Sequence, residues 1–421
     1  MRPTLQLLAV FLVGFAATDQ DYTPLLISVI RPVELGNFSP KIEEGLANAI
    51  YNLSGIISVL DYGSRIIDFE TIRKCSHGFQ RTNRIRLVKQ TAERTSIMEK
   101  MDFNHDFQLN TSNFVLLIEN NKKLCEVNKR MMASASPCGV SDGKRPLIGV
   151  VNICPGSRWK YFHAGVDLFR HELLHTLGYG TLNAVSPSMK GPEPMKYAWS
   201  DRWDGSSAQK VKRQFLDFAS KALEEARLHL NCSTLVGVEA DSADKIHLNE
   251  YVYGNELMTP DLSNVSNRFT YISAAILEGT YLGERPWYRV NRSAIRCEHE
   301  SFWYGRQWGC TFAERSCLDY INERIREKKP TFPFCSKKDF NIGKMTFNLQ
   351  QGEKRKTATA KCGKYPMMPG AVADNGVKAY PLSTRTEFGK VVGSPSKCRF
   401  CPLVKIFTDD QLDLPFGAEI V

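Results

Sequence analysis

Histidine is scarce in this chain: there are 8 in 421 residues. Any that fall at metal-ligand spacing therefore carry weight. Long apolar runs are also missing. The run over residues 5–17 is too short to cross a bilayer comfortably, and no later stretch is longer, so no transmembrane segment is expected. There is no internal repeat and no low-complexity tract, which sets aside solenoids and biased linkers. Paired Cys-x-x-Cys blocks are absent apart from Cys398-Arg399-Phe400-Cys401, and that pair has no partner pair for a structural zinc. The net charge is +10, but it is spread out. Basic clusters such as Lys354-Arg355-Lys356 have no interleaved aromatics and read as solvated surface, so no nucleic-acid partner is expected.

What the chain does have points to an oxidising compartment. Arg2 precedes the short apolar run, and small residues Ala16 and Ala17 follow it, which reads as a cleaved signal peptide over residues 1–17. The 12 cysteines are even in number and scattered from Cys75 to Cys401, so disulfides are expected in a secreted protein. Asn-x-Ser/Thr triplets stand at Asn37, Asn52, Asn110, Asn231, Asn264 and Asn291, which would make it a glycoprotein. Pro40 makes the first of these a poor acceptor. The last residues, 415–421, form no apolar tail of the kind that signals a lipid anchor.

The chemistry centres on His171-Glu172-Leu173-Leu174-His175 and Gly178. On a helix, positions four apart share a face, so both imidazoles can grip one zinc ion. Glu172 is then placed to handle the proton of a water polarised by that ion. Phe162, Val166, Phe169, Leu173 and Leu177 give an apolar stripe, so the helix is expected to be buried, and buried histidines need partners. Gly178 supplies a helix stop.

The flanking elements read as mixed α and β. Strands are expected at residues 25–30, 114–118 and 146–153. A helix is expected to start at Ser39-Pro40 and to bury Ile42, Leu46, Ala49 and Leu53. Residues 181–205 read as loop. Val211, Phe215, Phe218, Ala222 and Ala226 suggest one helix ending near Leu230. Past about residue 290 the cysteines become denser, suggesting a disulfide-stapled part.

A catalytic zinc wants three protein ligands and one open position. Ten residues after His171 stands Thr181, a poor ligand. The best third ligand is His247, shortly before Glu256-Leu257-Met258-Thr259-Pro260, where Met258 would pack in a turn under the metal. The alternative is a His-His-Glu site using Glu225. His229 lies on the same stripe, near the helix end, where a dipole role is enough. His77, His105, His163 and His299 lack motif context.

These residues together resemble leishmanolysin, the surface metalloprotease family of the metzincin clan. The likeness rests on His171, Glu172, His175 and Gly178, then 71 intervening residues between His175 and His247, then the Met258 turn. It takes in the strand before the motif and Gly309-Cys310-Thr311-Phe312, Cys317 and Phe334-Cys335 after it, over roughly residues 25–345. It implies an α+β, metzincin-like fold. Its parts would be an N-terminal catalytic subdomain with a mixed sheet and the zinc helix (18–180), an insertion and C-terminal catalytic subdomain with the third histidine and Met turn (181–290), and a cysteine-rich region (291–421). It implies one Zn2+ held by His171, His175 and His247, with Glu172 as general base in peptide-bond hydrolysis. Family members usually carry a pro-segment cysteine; here Cys75 is expected to be a disulfide partner instead. Protein or peptide substrates and a monomer are expected, and the 147–151 strand would pair with extended substrate. The rival of another class is a secreted binding or adhesion protein that keeps the fold without turnover.

Overall fold

A computed structural model describes residues 21–61, 65–67, 69–80, 82, 84–90, 96–102, 107–109, 112–127, 131–138, 145–200, 208–262, 267–331, 334, 344–351, 354–361, 405–406 and 419–420. The signal-peptide reading, His105 and the Cys398/Cys401 pair lie outside them. The elements that position the site are, in chain order, β1 (Ile27–Pro32), α1 (Pro40–Ile56), β2 (Ile57–Leu60), β3 (Arg84–Gln90), β4 (Ser96–Asp102), β5 (Phe114–Glu119), β6 (Ala133–Cys138) and β7 (Ile148–Ile153). They continue with α2 (Gly165–Thr176), β8 (Met195–Ser200), β9 (Ala208–Phe215), α3 (Ala222–Leu230), β10 (Glu239–Ala240), α4 (Tyr271–Gly279), β11 (Tyr288–Val290) and α5 (Arg292–Ser301).

Six strands form a mixed sheet in the order β4-β3-β1-β5-β7-β6. β1, β5 and β7 run parallel, with Val29 opposite Leu116 and Leu117 opposite Val150. β3 and β6 flank this trio antiparallel. Every residue of β5 and β7 is buried, as expected where both faces of a sheet are covered. Alternate β5 residues serve different cores: Phe114, Leu116 and Ile118 face the helices, while Val115 and Leu117 join Phe79, Ile85 and Leu87 behind the sheet.

α1 starts with Pro40 at its first turn and buries Ile42, Leu46, Ala49 and Leu53, as the periodicity predicts. α2 packs against α1 and against the β6 and β7 end of the sheet. Two glycines let it close in. At Gly45 an added Cβ would meet the Gly165 backbone at 3.3 Å; at Gly149 it would meet the Thr176 Cβ at 2.4 Å. Burial of Leu168, Phe169, Leu173 and Leu174 then fixes the helix's rotation about its axis.

Three expectations need correction. The supposed 211–230 helix is a strand, a turn and a shorter helix. β9 pairs with β8 and β10, Phe218 takes φ 58°, and only then does α3 begin. Arg213 and Phe215 are buried while Lys212 is exposed, a period of two that the helical count masked. β8 lies within what read as loop. Finally, the 147–151 segment cannot offer a free edge, because β7 is hydrogen-bonded to β5 on one side and β6 on the other. Among the described residues, the edge of this sheet next to α2 is β6.

Candidate metal centre

α2 presents His171 and His175 one turn apart, both buried. Their Nε2 atoms are 3.0 Å apart, and His175 Nε2 lies 3.1 Å from His247 Nε2. His247 thus joins the motif pair across the fold. Among the described residues, these three rings form a group whose ligand atoms all lie within 4.8 Å of one another, and no carboxylate shares it.

The tautomers follow from the partners. His171 Nδ1 lies 2.7 Å from the Leu257 carbonyl, and His175 Nδ1 lies 2.8 Å from the Tyr179 carbonyl. A carbonyl can only accept, so each Nδ1 carries the hydrogen and each Nε2 of the neutral ring offers a lone pair. Burial depresses the ring pKa values to about 3 for His171, helped by the neighbouring His175, and to about 4 for His175. Both rings are neutral at physiological pH. Three Nε2 atoms converging at 3.0 to 3.1 Å, with the opposite nitrogens of His171 and His175 committed to carbonyls, make a donor set that suits zinc.

The approach of His247 has a local cause. Residues 241–247 form a tight loop closed by the Ala240–Leu248 bridge and by the Asp241 amide donating to the His247 carbonyl at 3.0 Å. The loop tip rests on Gly180, where φ is +64° and a Cβ would sit 2.1 Å from the Ile246 oxygen. Lys245 in that loop pairs with Asp217 at 2.9 Å, and the same Asp217 oxygen accepts from the Gly191 amide. Gly178, at φ +106°, ends the run after α2 as expected.

Glu172 follows His171 on the buried helix, and burial pushes its carboxyl up to about 8. Met258 is fully buried. Its carbonyl accepts from Leu248, the residue after His247, at 3.0 Å. The methionine turn therefore reaches the site through backbone in two ways: the Leu257 carbonyl receives the His171 ring, and the Met258 carbonyl holds the amide of Leu248, next to His247.

The remaining candidates fall elsewhere. Glu225 pairs with Arg292 at 3.4 Å and is outside the histidine group, so the His-His-Glu alternative is not supported. His229 is buried with Nε2 donating to the Tyr304 carbonyl at 2.8 Å and its ring on Phe302. His299 stacks on Tyr271, and His77 and His163 are exposed. Thr181 caps the His175 carbonyl through its hydroxyl. Cys75 bonds to Cys138, as expected, and Cys125 to Cys154. Cys232 and Cys310 lie near Glu314 but are bonded to each other, which leaves no thiolate for a metal. Residue-level reasoning missed the Leu257 and Tyr179 carbonyls, because backbone acceptors leave no mark in a side-chain pattern. Gly180, two residues after Gly178, was the one available signal.

Comparison with known proteins bears on the family. A family model described as leishmanolysin matches residues 104–359, which include all three histidines, Glu172 and Met258. The chain belongs to the leishmanolysin family. A leishmanolysin-like peptidase of Caenorhabditis elegans is 26% identical over 261 residues, covering 53% of this chain and 38% of that protein. Another, of Drosophila melanogaster, is 26% identical over 227 residues, covering 46% of this chain and 32% of the relative. This leishmanolysin-family chain thus spans under two fifths of the length of the curated relatives it matches. No helix among its described residues is long and apolar enough to cross a membrane.

Proposed function

We propose that this chain is a zinc-dependent endopeptidase acting on proteins or peptides outside the cell. His171, His175 and His247 hold one zinc ion through Nε2, and Glu172 is the general base. The observation that carries this reading is the convergence of three histidine Nε2 atoms, with the buried Glu172 next to His171 on the same helix. Bound there, zinc supplies Lewis-acid polarisation of the peptide carbonyl and of the attacking water. Glu172 takes the water's proton on a carboxylate oxygen and returns it to the leaving amine. The edge of β6, unpaired among the described residues, offers backbone groups to an extended substrate alongside α2. Met258 acts by packing.

The compartment is inferred from the disulfides Cys75–Cys138, Cys125–Cys154 and Cys232–Cys310 among the described residues, which form under oxidising conditions. Among the described residues, exposed Asn52, Asn231 and Asn291 are acceptors for glycans; Asn110 and Asn264 lie outside the described residues. The test is to incubate the purified chain with denatured protein, with and without a chelator. Chelator-sensitive cleavage that disappears in Glu172→Gln supports the reading. Cleavage that survives in Glu172→Gln rejects the general base, and metal binding without cleavage favours the binding-protein alternative.

A further inference from the structure

Two of the rings are aimed by backbone carbonyls on separate segments: Tyr179, just after α2, and Leu257, in the methionine turn. A buried chain of side chains joins those segments. The Glu256 carboxylate, fully buried, accepts from the Met258 amide at 2.6 Å, the Thr270 amide at 3.2 Å and the Thr270 hydroxyl at 2.9 Å. It also bonds the Ser273 side chain. Ser273 in turn lies 3.3 Å from the Tyr179 hydroxyl. With the serine hydrogen directed to the carboxylate, the tyrosine donates to the serine oxygen. The run is therefore Tyr179 to Ser273 to Glu256, ending on the amide beside the carbonyl that receives His171.

We infer that Tyr179, Ser273 and Glu256 form one positioning unit that sets the His171 and His175 rings for metal. Glu256 orders the turn from within: it pins the amide on one side of Leu257, while the Leu257 amide donates to the Arg268 carbonyl at 2.8 Å. That leaves the Leu257 carbonyl one direction, toward His171. The same carboxylate holds Thr270, whose hydroxyl caps α4 by accepting from Ile272 at 3.2 Å, and α4 carries Ser273. The unit is thus closed by backbone on both sides. Its members touch neither substrate nor metal, so they act through the rings. Partners of metal-ligating histidines typically change metal affinity by about 10- to 100-fold when removed. The inference rests on the zinc reading above.

The test uses the full chain carrying Glu256→Gln, Tyr179→Phe or Ser273→Ala, with His247→Ala as reference. Zinc affinity is read by competition with a chromophoric chelator, and the visible absorption of the cobalt-substituted protein reports ligand geometry. Circular dichroism confirms folding. Expected is a loss of zinc affinity of about 10- to 100-fold in Glu256→Gln. The cobalt band should shift the same way, by less, in Tyr179→Phe and Ser273→Ala. Folded Tyr179→Phe and Ser273→Ala proteins with wild-type affinity and band would overturn the inference, whatever Glu256→Gln does. Wild-type affinity in His247→Ala would instead sink the zinc reading itself.

Discussion

His229 and His247 sit 18 positions apart and have opposite fates, decided by what their ring nitrogens meet. His247 turns Nε2 toward His175, while His229 spends its Nε2 hydrogen on the Tyr304 carbonyl. Zinc content separates the ligands: His247→Ala should purify with little metal, and Glu225→Ala with the full complement. The reverse pattern would restore the glutamate alternative. His229 has a role in stability. Burial holds its pKa near 4, below the ordinary value of 6.5. The unfolded chain therefore binds a proton that the folded chain refuses, so this stabilisation is complete above about pH 6.5 and is lost as pH falls toward 4. In melting experiments on the metal-free protein, His229→Gln should flatten the decline between those values. An unchanged slope would show that His229 does not govern it.

At the level of elements, glycines decide how closely the site's parts approach. Gly180 sits under the third-ligand loop, and its φ of +64° already disfavours a side chain. Gly180→Ala should push Ile246 outward and weaken zinc binding more than it lowers the melting temperature. Gly149→Ala meets Thr176 on the buried side of α2 and should destabilise the whole fold by about 1–3 kcal/mol. Chelator competition and denaturant titration of the two variants would show the contrast; equal effects on both readouts would contradict it. These contacts also mark what could be read from the chain. The motif helix, α1 and the central strands were legible because burial follows period 3.6 or 2 there. β9 was not, because the buried polar Arg213, paired with Glu239 at 2.9 Å, broke the apolar alternation. The three histidines were legible as a group that could hold a metal. Their aim was not, since it comes from the carbonyls of Leu257 and Tyr179 and from a glutamate that looked like part of a turn.

Across the molecule, the three regions expected from sequence are stitched together. β11 pairs with β2, so residues 288–290 complete a small sheet begun near the N-terminus. Arg170 of α2 reaches Glu298 of α5 at 2.9 Å, and Asp167 of α2 holds the Asn267 amide at 3.0 Å. Cys232–Cys310 ties the end of α3 to the segment after α5. Replacing both of these cysteines with serine should cost about 2–4 kcal/mol of stability while the remaining fold keeps its zinc. Loss of metal along with the bridge would mean that the carboxy-terminal region holds the centre directly.

The proposed centre is one ion joining three rings drawn from two distant segments. Anomalous diffraction at the zinc edge, from crystals of the full chain, reads that most directly. A single strong peak is expected about 2.0–2.1 Å from Nε2 of each of His171, His175 and His247. A peak bound to only the first two rings, or a zinc coordinated by Glu225, would contradict it.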